Sequence, residues 1–494
     1  MKFHEKLDNY FEISARNSTV KTEIMGGLTT FFAMCYIMFV NPNTMTGATS
    51  GPLYNAVFIA TAIGAIVGTL LMGLYAKMPY AQASGMGLNA FFFVTFMLFG
   101  FGGADAFSAE AYSAGLSVIF VAGLVFMFLS VTGLRKKIAE AMPMCLKKAI
   151  PAGIGLFIAF IGLKNAGLVQ ANQFTFVQLV NLNVYSGGVH WFDSFGNPGI
   201  SAPIAALLGF LLIAALSKTK LRKANVIIGI LATTCLYYLF NAGNDPTFAG
   251  IGTVTNPGQA FQDFGEFGVQ GWFKGFQYWE GSTAINVILL VITFCLVDMF
   301  DTLGTLQGTS AEAGMLDENG NPQNLNKCLM ADSTATVVGA MMGTSTVTTF
   351  VESSAGVSAG ARTGLSSIVV ALMFFIAMFL TPLAAVIPGC ATAPALVYVG
   401  VLMLKNIKDV DFSDLTAAVP AFLALIMMPL TYSISNGIAM GMISYIILKF
   451  FNVFFTKDYN VKEYFALKGD FFQKDIVVLI IAILFLVRFF MVTM

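Results

Sequence analysis

The sequence is poor in charge and in histidine. Only 11% of its 494 residues are charged and only two are histidines, His4 and His190, whereas 57% are hydrophobic. So apolar a chain is typical of a multi-pass membrane protein and excludes a soluble enzyme. Lys plus Arg and Asp plus Glu number 26 each, so the net charge is zero and no nucleic-acid partner is indicated.

The cysteine pattern also argues against disulfide bonds and zinc binding. The six cysteines lie mostly in apolar runs and none forms a CxxC pair, so the sequence predicts neither a disulfide framework nor a zinc site. We expect no metal and no cofactor. The first 21 residues are polar and lack a cleavable signal, and we interpret 1–21 as a cytoplasmic tail.

Long apolar runs fall into two sets of seven, followed by one more. Because neighbouring repeats with an odd number of spans enter the membrane in opposite orientations, two sets of seven predict an inverted repeat, as in many secondary transporters. We therefore predict an all-α membrane protein with fourteen transmembrane segments and two short strands, at the interrupted third and tenth segments. The first set lies at 22–42, 55–76, 82–100, 115–134, 148–166, 201–217 and 223–241, the second at 284–307, 329–343, 346–361, 364–387, 391–405, 415–430 and 434–452, and the additional helix at 475–493.

Basic residues collect at alternate ends of these segments. They precede the first segment and follow the fourth, sixth and twelfth, whereas the loops at 167–200 and 242–283 contain only Lys274. The positive-inside rule therefore predicts a cytoplasmic N-terminus in a cell (plasma or inner) membrane. Whether 475–493 spans the bilayer or lies at its surface stays open, because a lysine-rich stretch precedes it.

Two segments are interrupted by polar and small residues. The stretch from Gly343 to Gly364 reads GTSTVTTFVESSAGVSAGARTG, and the stretch 80–90 reads YAQASGMGLNA. β-Branched residues before Glu352 favour a short strand, and the small residues after it favour a half-helix. Aligning Gln82 with Glu352 puts the two interruptions at matching places in the two halves, which is the best sequence indication of a transporter binding site. A packing role for two polar re-entrant loops is the alternative.

Three acids lie within these apolar segments. Asp298 and Asp301 are three residues apart on one predicted helix, and Glu352 lies in the second interruption. A charged acid at the bilayer centre costs roughly 2.5–3.5 kcal/mol on insertion scales, so the face that carries these acids is expected to meet protein or water. Carboxyl groups that gain and lose a proton are what a proton-coupled carrier needs. A role in holding helices together is the alternative for Asp298 and Asp301.

The first segment ends in Phe-Val-Asn-Pro-Asn at 39–43. Since proline lacks a backbone N–H, we expect Pro42 to end this helix. Asn41 then either faces the site or is only a helix-end residue.

Six motifs together resemble the AzgA-like purine permeases, a branch of the nucleobase–ascorbate transporter superfamily (nucleobase:cation symporter-2). The resemblance covers most of the chain. It is carried by TEIMGGLTTFFAMCYIMFVNP (22–42), SGMGLNAFF (84–92), VDMFDTLGT (297–305), AEAGMLDENGN (311–321), GTSTVTTFVESSAGVSAGARTGL (343–365) and CATAPALVYVGVLM (390–403).

The resemblance implies purine nucleobase import by proton symport in a homodimer embedded in the lipid bilayer. It also implies a core domain, which we place at 22–136 and 284–388, and a gate domain at 148–241 and 390–452. The resemblance implies nothing for 475–493.

The same resemblance implies the site residues. The acid of the eighth segment maps onto Asp301, with Asp298 as a rival, and the acid of the tenth maps onto Glu352. The third-segment asparagine maps onto Asn89. The resemblance also implies that backbone near Ala81 and Val351 touches the base. We add Gln82, Asn41 and Ser353 as further candidates.

We therefore expect a neutral purine to lie between the two half-helices, with Glu352 accepting from its ring N–H groups. A proton carried by Asp301 or Glu352, or by Asp298, neutralises the site for transport. An anion carrier of the sulfate or bicarbonate type and a xanthine or uracil carrier are the alternatives on this fold. An intramembrane aspartyl protease is disfavoured because Asp298 and Asp301 share one helix. The choice between adenine and guanine or hypoxanthine, and between H⁺ and Na⁺, stays open.

Overall fold

The computed structural model describes residues 3–48, 50–133, 142–172, 174–180, 201–219, 221, 224–240, 257–280, 284–316, 322–380, 387–455, 464, 471 and 475–491. Its helices confirm a mostly helical chain, and six in this part are long and apolar enough to cross a membrane.

The helices are α1 Phe3–Phe11, α2 Val20–Met34, α3 Ile37–Thr46, α4 Pro52–Leu74, α5 Met86–Phe92, α6 Ala109–Val131, α7 Met144–Asn165, α8 Ser201–Leu216, α9 Asn225–Phe240, α10 Pro257–Asp263, α11 Gly271–Lys274, α12 Ala284–Ala313, α13 Leu325–Met342, α14 Ser353–Ser358, α15 Gly364–Ala377, α16 Gly389–Leu404, α17 Leu415–Leu430, α18 Ile434–Phe455 and α19 Ile476–Met491.

The helices pack in two groups. In the first packing group (α2–α6 and α12–α15), α4 packs against α13 and α15, and α2 packs against α14 and α15. In the second packing group (α7–α9 and α16–α18), α7 packs against α16 and α17. The groups meet where α5 and α12 touch α7. The inverted repeat and the division into a core and a gate domain stay predictions.

Four short strands accompany the helices in the described part of the chain. β1 (Gln82–Ser84) and β4 (Val347–Thr349) lie in the two predicted interruptions and pair antiparallel with each other. β2 (Val169–Asn172) and β3 (Phe176–Leu179) form a hairpin. They lie within the predicted loop 167–200, for which we predicted no strands.

The helix that contains Pro42 differs from the prediction. Pro42 lies inside α3, which continues to Thr46, and the interruption falls earlier, at Cys35–Tyr36 between α2 and α3. The hydroxyl of Thr46 donates to the carbonyl of Pro42 over 2.7 Å, which gives that carbonyl a partner. Asn41 is consequently a buried residue within a helix and not a helix-end residue.

The additional C-terminal helix is present as α19. Its buried residues Val478, Ile481, Ala482 and Phe485 recur at helical spacing, so one face of α19 packs inward. That helix packs against α18 and α12. His190 and residues 134–136 of the predicted core domain lie outside the described residues.

Candidate functional site

The two interrupted segments meet at the β1–β4 pair. Gln82 lies opposite Thr349, and Ser84 lies opposite Val347. Two flanking backbone bonds extend the ladder: the N–H of Phe350 donates to the carbonyl of Ala81 at 3.0 Å, and that of Gly85 donates to the carbonyl of Thr346 at 2.9 Å. A side chain at Gly85 would come within 2.5 Å of the Thr348 methyl group, so only glycine fits there.

This register corrects our alignment of the two interruptions. The half-helices begin at Met86 and at Ser353, so Gly85 and Glu352 occupy the equivalent N-cap positions. Gln82 is a strand residue and does not correspond to Glu352. The alignment was wrong because both stretches are rich in small residues, so their composition does not fix the register.

A cavity of about 350 Å³ lies between the two packing groups, beside the starts of both half-helices. Among the predicted site residues, Glu352, Asp301 and Val351 line it. The second packing group contributes Pro151 and Tyr398 to the opposite wall. The cavity therefore brings both predicted acids to one compartment.

Glu352 is 7% exposed and takes the N-cap position of α14. Its Oε1 accepts a hydrogen bond of 2.5 Å from the hydroxyl of Tyr36, a fully buried residue at the break between α2 and α3. Our sequence reasoning missed Tyr36. A hydroxyl-bearing side chain within the predicted first span was the available signal.

Asp301 and Asp298 have different surroundings although they share α12. Asp301 is half-buried and lines the cavity. Asp298 is 1% exposed, is not among the cavity-lining residues, and accepts a 3.1 Å hydrogen bond from the hydroxyl of Thr336. The backbone N–H of Val347 donates to that same hydroxyl oxygen over 3.2 Å, so Asp298 is connected to β4.

Gln82 belongs to a polar cluster behind the strands. Its amide nitrogen donates to Asp332 at 3.1 Å and to Thr349 at 3.3 Å. Asp332 also accepts from the hydroxyl of Thr302 at 2.8 Å, and Thr302 in turn lies 2.9 Å from the hydroxyl of Thr348. Asp332 is a further buried acid that our reasoning missed, although it lies inside the predicted segment 329–343. This cluster joins α12 and α13 to both strands.

Asn89 and Asn41 are connected through a chain of side chains. The hydroxyl of Ser84 donates to Asn89 at 2.9 Å and accepts from Thr344 at 3.1 Å. Thr344 accepts from the amide of Asn41 at 3.0 Å. Both asparagines are fully buried, and neither lines the cavity. Gly85, which follows Ser84 in the sequence, does line it.

Ala81 and Ser353 hold the two interruptions together. The backbone N–H of Ala81 donates to the hydroxyl of Ser353 over 3.0 Å, and its carbonyl accepts from Phe350. Both polar atoms of the Ala81 backbone are thus used within the protein.

Cations in the described part of the chain are not paired with the cavity acids. Arg362 follows α14 and donates from its guanidinium to the carbonyls of Val357 and Ala361 at 2.6 and 2.7 Å. The ion pairs found there join Glu12 to Arg16 and to Lys77 near the N-terminus. The cavity acids are thus available to hydrogen-bond donors on a ligand.

Apolar helices around a cavity between two half-helices define a multi-pass membrane protein of the transporter class. The chain belongs to the Permease family, whose model, Xan_ur_permease, matches residues 21–440. This match and the relatives below confirm the family predicted from the sequence motifs.

Two relatives cover nearly the whole chain. Guanine/hypoxanthine permease PbuO of Bacillus subtilis (strain 168) is 39% identical over 489 residues, 97% of this chain and 99% of the relative. Adenine permease AdeQ of Escherichia coli (strain K12) is 37% identical over 443 residues, 90% of each chain. Among solved structures, the transmembrane domain of the cyanobacterium bicarbonate transporter BicA matches with a TM-score of 0.54 at 14% identity, over 85% of this chain and 97% of that domain. The last likeness concerns the fold alone.

Proposed function

We propose that the protein imports purine nucleobases together with protons. The observation that carries this proposal is the cavity that places Glu352 and Asp301 beside the starts of two paired half-helices. The names of the two relatives, adenine permease and guanine/hypoxanthine permease, support the substrate class.

A purine presents ring N–H groups as well as acceptors along its edges. Glu352 accepts from the ring N–H groups, because an ionised carboxylate offers only acceptors. The backbone of Val351, next to Glu352 in the cavity wall, contacts the edge of the base. Asn89 and Gln82 support the strands from behind, where the amide oxygen of Asn89 accepts from Ser84 and the amide nitrogen of Gln82 donates to Asp332.

The proton enters with the base and binds Asp301 or Glu352. Neutralising the cavity reduces the cost of carrying these acids through an apolar environment. The first packing group then moves as a core against the second as a gate.

Asp298 lies behind the cavity and keeps the lesser role of a relay or a structural acid. Dimerisation through the gate is part of the proposal.

The cavity opens on the cytoplasmic side in this proposal. Exposed Lys405, at the end of α16, lines it and belongs to the basic residues that we assign to the cytoplasm. The N-terminus lies on the same side, in a cell membrane, and the inward-facing cavity is where the base is released.

Uptake of radiolabelled hypoxanthine into cells that lack their own purine permeases tests the proposal. Unlabelled adenine, guanine, hypoxanthine, xanthine and uracil compete in turn, with and without a protonophore. We expect hypoxanthine, together with guanine or adenine, to compete and the protonophore to abolish accumulation. Competition by xanthine or uracil alone would reassign the substrate, and loss of uptake on sodium removal would reassign the coupling ion.

An anion carrier is the less favoured alternative. Glu352 and Asp301 both line the cavity, and their carboxylates would repel an inorganic anion there. Bicarbonate- or sulfate-driven flux without any purine uptake would establish that alternative.

A further inference from the structure

Helix α2 and the half-helix α14 run antiparallel at very close range. A Cβ on Gly356 would lie 2.6 Å from the carbonyl oxygen of Gly26 and 2.1 Å from the hydroxyl oxygen of Thr30. A Cβ on Gly26 would in turn lie 2.6 Å from the Cβ of Ala361. Contacts this close require glycine at both positions, so the two backbones are held in one relative position.

Polar contacts fix this pairing at both of its ends. At one end, buried Glu23 accepts from the backbone N–H groups of Arg362 and Thr363, at 2.8 and 3.2 Å. At the other end, the hydroxyl of Tyr36 donates to Glu352 at 2.5 Å. Glu23 therefore anchors the chain beyond α14, while Tyr36 reaches the acid that lines the cavity.

We propose that Tyr36 is a positioning residue, whose hydroxyl holds the Glu352 carboxylate in the orientation that receives the base. This inference rests on the proposed function and adds a residue to its site. A glutamate side chain has three rotatable bonds, and an N-cap residue at the end of a short helix does not restrict them by packing alone. The phenol binds one carboxylate oxygen before the ligand arrives, so the ligand does not have to order the side chain.

Two other fully buried tyrosines, Tyr112 and Tyr80, have partners of a different kind. Tyr112 donates to the backbone carbonyl of Gly343, and Tyr80 pairs with the hydroxyl of Ser310 at 2.7 Å. Neither is bonded to a carboxylate of the cavity. Among these three tyrosines, Tyr36 alone connects the break between α2 and α3 to a proposed ligand group.

The test compares binding of tritiated hypoxanthine and adenine to purified wild-type protein and to Tyr36→Phe, which removes one oxygen atom. We expect Tyr36→Phe to raise the Kd of the bound base about tenfold, because a hydrogen bond to a charged group orients the acceptor. Tyr54→Phe is the matched control, since Tyr54 is also a buried tyrosine and is not among the cavity-lining residues. The Kd of the Tyr54→Phe variant for the bound base is expected to stay within about twofold of the wild-type value.

A second comparison separates positioning from structural support. In a Glu352→Asp background, whose shorter side chain withdraws the carboxylate from Tyr36, the further change Tyr36→Phe is expected to alter the Kd by less than about twofold. Tyr36→Gln, which keeps an N–H donor, is expected to bind more tightly than Tyr36→Leu, which is of similar size and has none. The Gln and Leu variants also test the positioning role of Tyr36 if Tyr36→Phe does not accumulate in the membrane.

Each result has one meaning. Unchanged binding by Tyr36→Phe, an equal loss in Tyr54→Phe, or equal binding by the Gln and Leu variants would overturn the positioning role while leaving purine transport in place. A wild-type protein that binds no purine would refute the proposed function itself.

Discussion

Replacing Gly356 by alanine tests how the structure places Glu352. The added Cβ would lie 2.6 Å from the backbone oxygen of Gly26, and nine in ten real Cβ contacts are longer than 3.4 Å. The half-helix α14 therefore has to move away from α2 by about 0.8 Å, because a backbone carbonyl within a helix cannot rotate aside. Glu352, four residues from Gly356, moves with it.

The expected loss follows from that displacement. Misplacing a binding group by 1 Å can reduce activity by up to about 100-fold, so we expect a 10- to 100-fold drop in the Vmax/KM of hypoxanthine uptake. Overpacking also costs about 1–3 kcal/mol of stability, so the amount of protein in the membrane must be measured by immunoblot and used to normalise the rates.

Gly265→Ala is the control for this substitution. A Cβ at Gly265 would meet no atom within 4 Å, so uptake is expected to stay within about twofold of wild type. Normal affinity and rate in Gly356→Ala, at an equal membrane level, would refute the idea that the α2–α14 contact sets the position of the binding acid.

Three further predictions concern acids. Glu352→Gln is expected to abolish high-affinity purine uptake with the protein still in the membrane, because a charged acceptor worth about 1.5–3 kcal/mol per hydrogen bond is lost; normal uptake would end the assignment of Glu352. Asp301→Asn is expected to retain exchange of labelled for unlabelled base while losing protonophore-sensitive accumulation, and intact proton-driven accumulation would exclude Asp301 as the proton site. Glu23→Ala leaves one buried and one partly buried backbone N–H group without their acceptor, so it is expected to destabilise the purified protein by about 1–3 kcal/mol, seen as a lower melting temperature. Glu12→Ala, which removes half-exposed ion pairs, is its control, and equal melting temperatures of the two variants would contradict this role of Glu23.

The polarity of the chain was enough to predict several features. Apolar segments separated by polar loops predicted a multi-pass helical protein, and the interruption of two of these segments predicted the short strands β1 and β4. These properties are local, because a bilayer requires apolar side chains along each span and tolerates interrupted backbone only within protein or a water-filled cavity. The same reasoning identified Asp301 and Glu352, since an acid in an apolar span is conspicuous.

Local reasoning failed where several backbone conformations are compatible with the sequence. Pro42 was expected to end a helix, yet the interruption lies at Cys35–Tyr36, seven to six residues earlier along the chain. The loop from 167 contains a hairpin whose strands are four residues each, too short to show a clear alternation. The match of Gln82 to Glu352 failed because a shift of a few residues leaves a run of small residues looking the same.

The amino-acid sequence by itself determined the class of the protein, the membrane-spanning character of its helices and which acids lie within its apolar segments. Only the tertiary structure decided which of those acids share a cavity, because Asp298 and Asp301 are neighbours on α12 but have different surroundings. It also decided the partners of each acid: Tyr36 meets Glu352 across 316 positions of sequence, and Gln82 meets Asp332 across 250. Contacts over such separations depend on how whole helices pack, and no local pattern of residues encodes them.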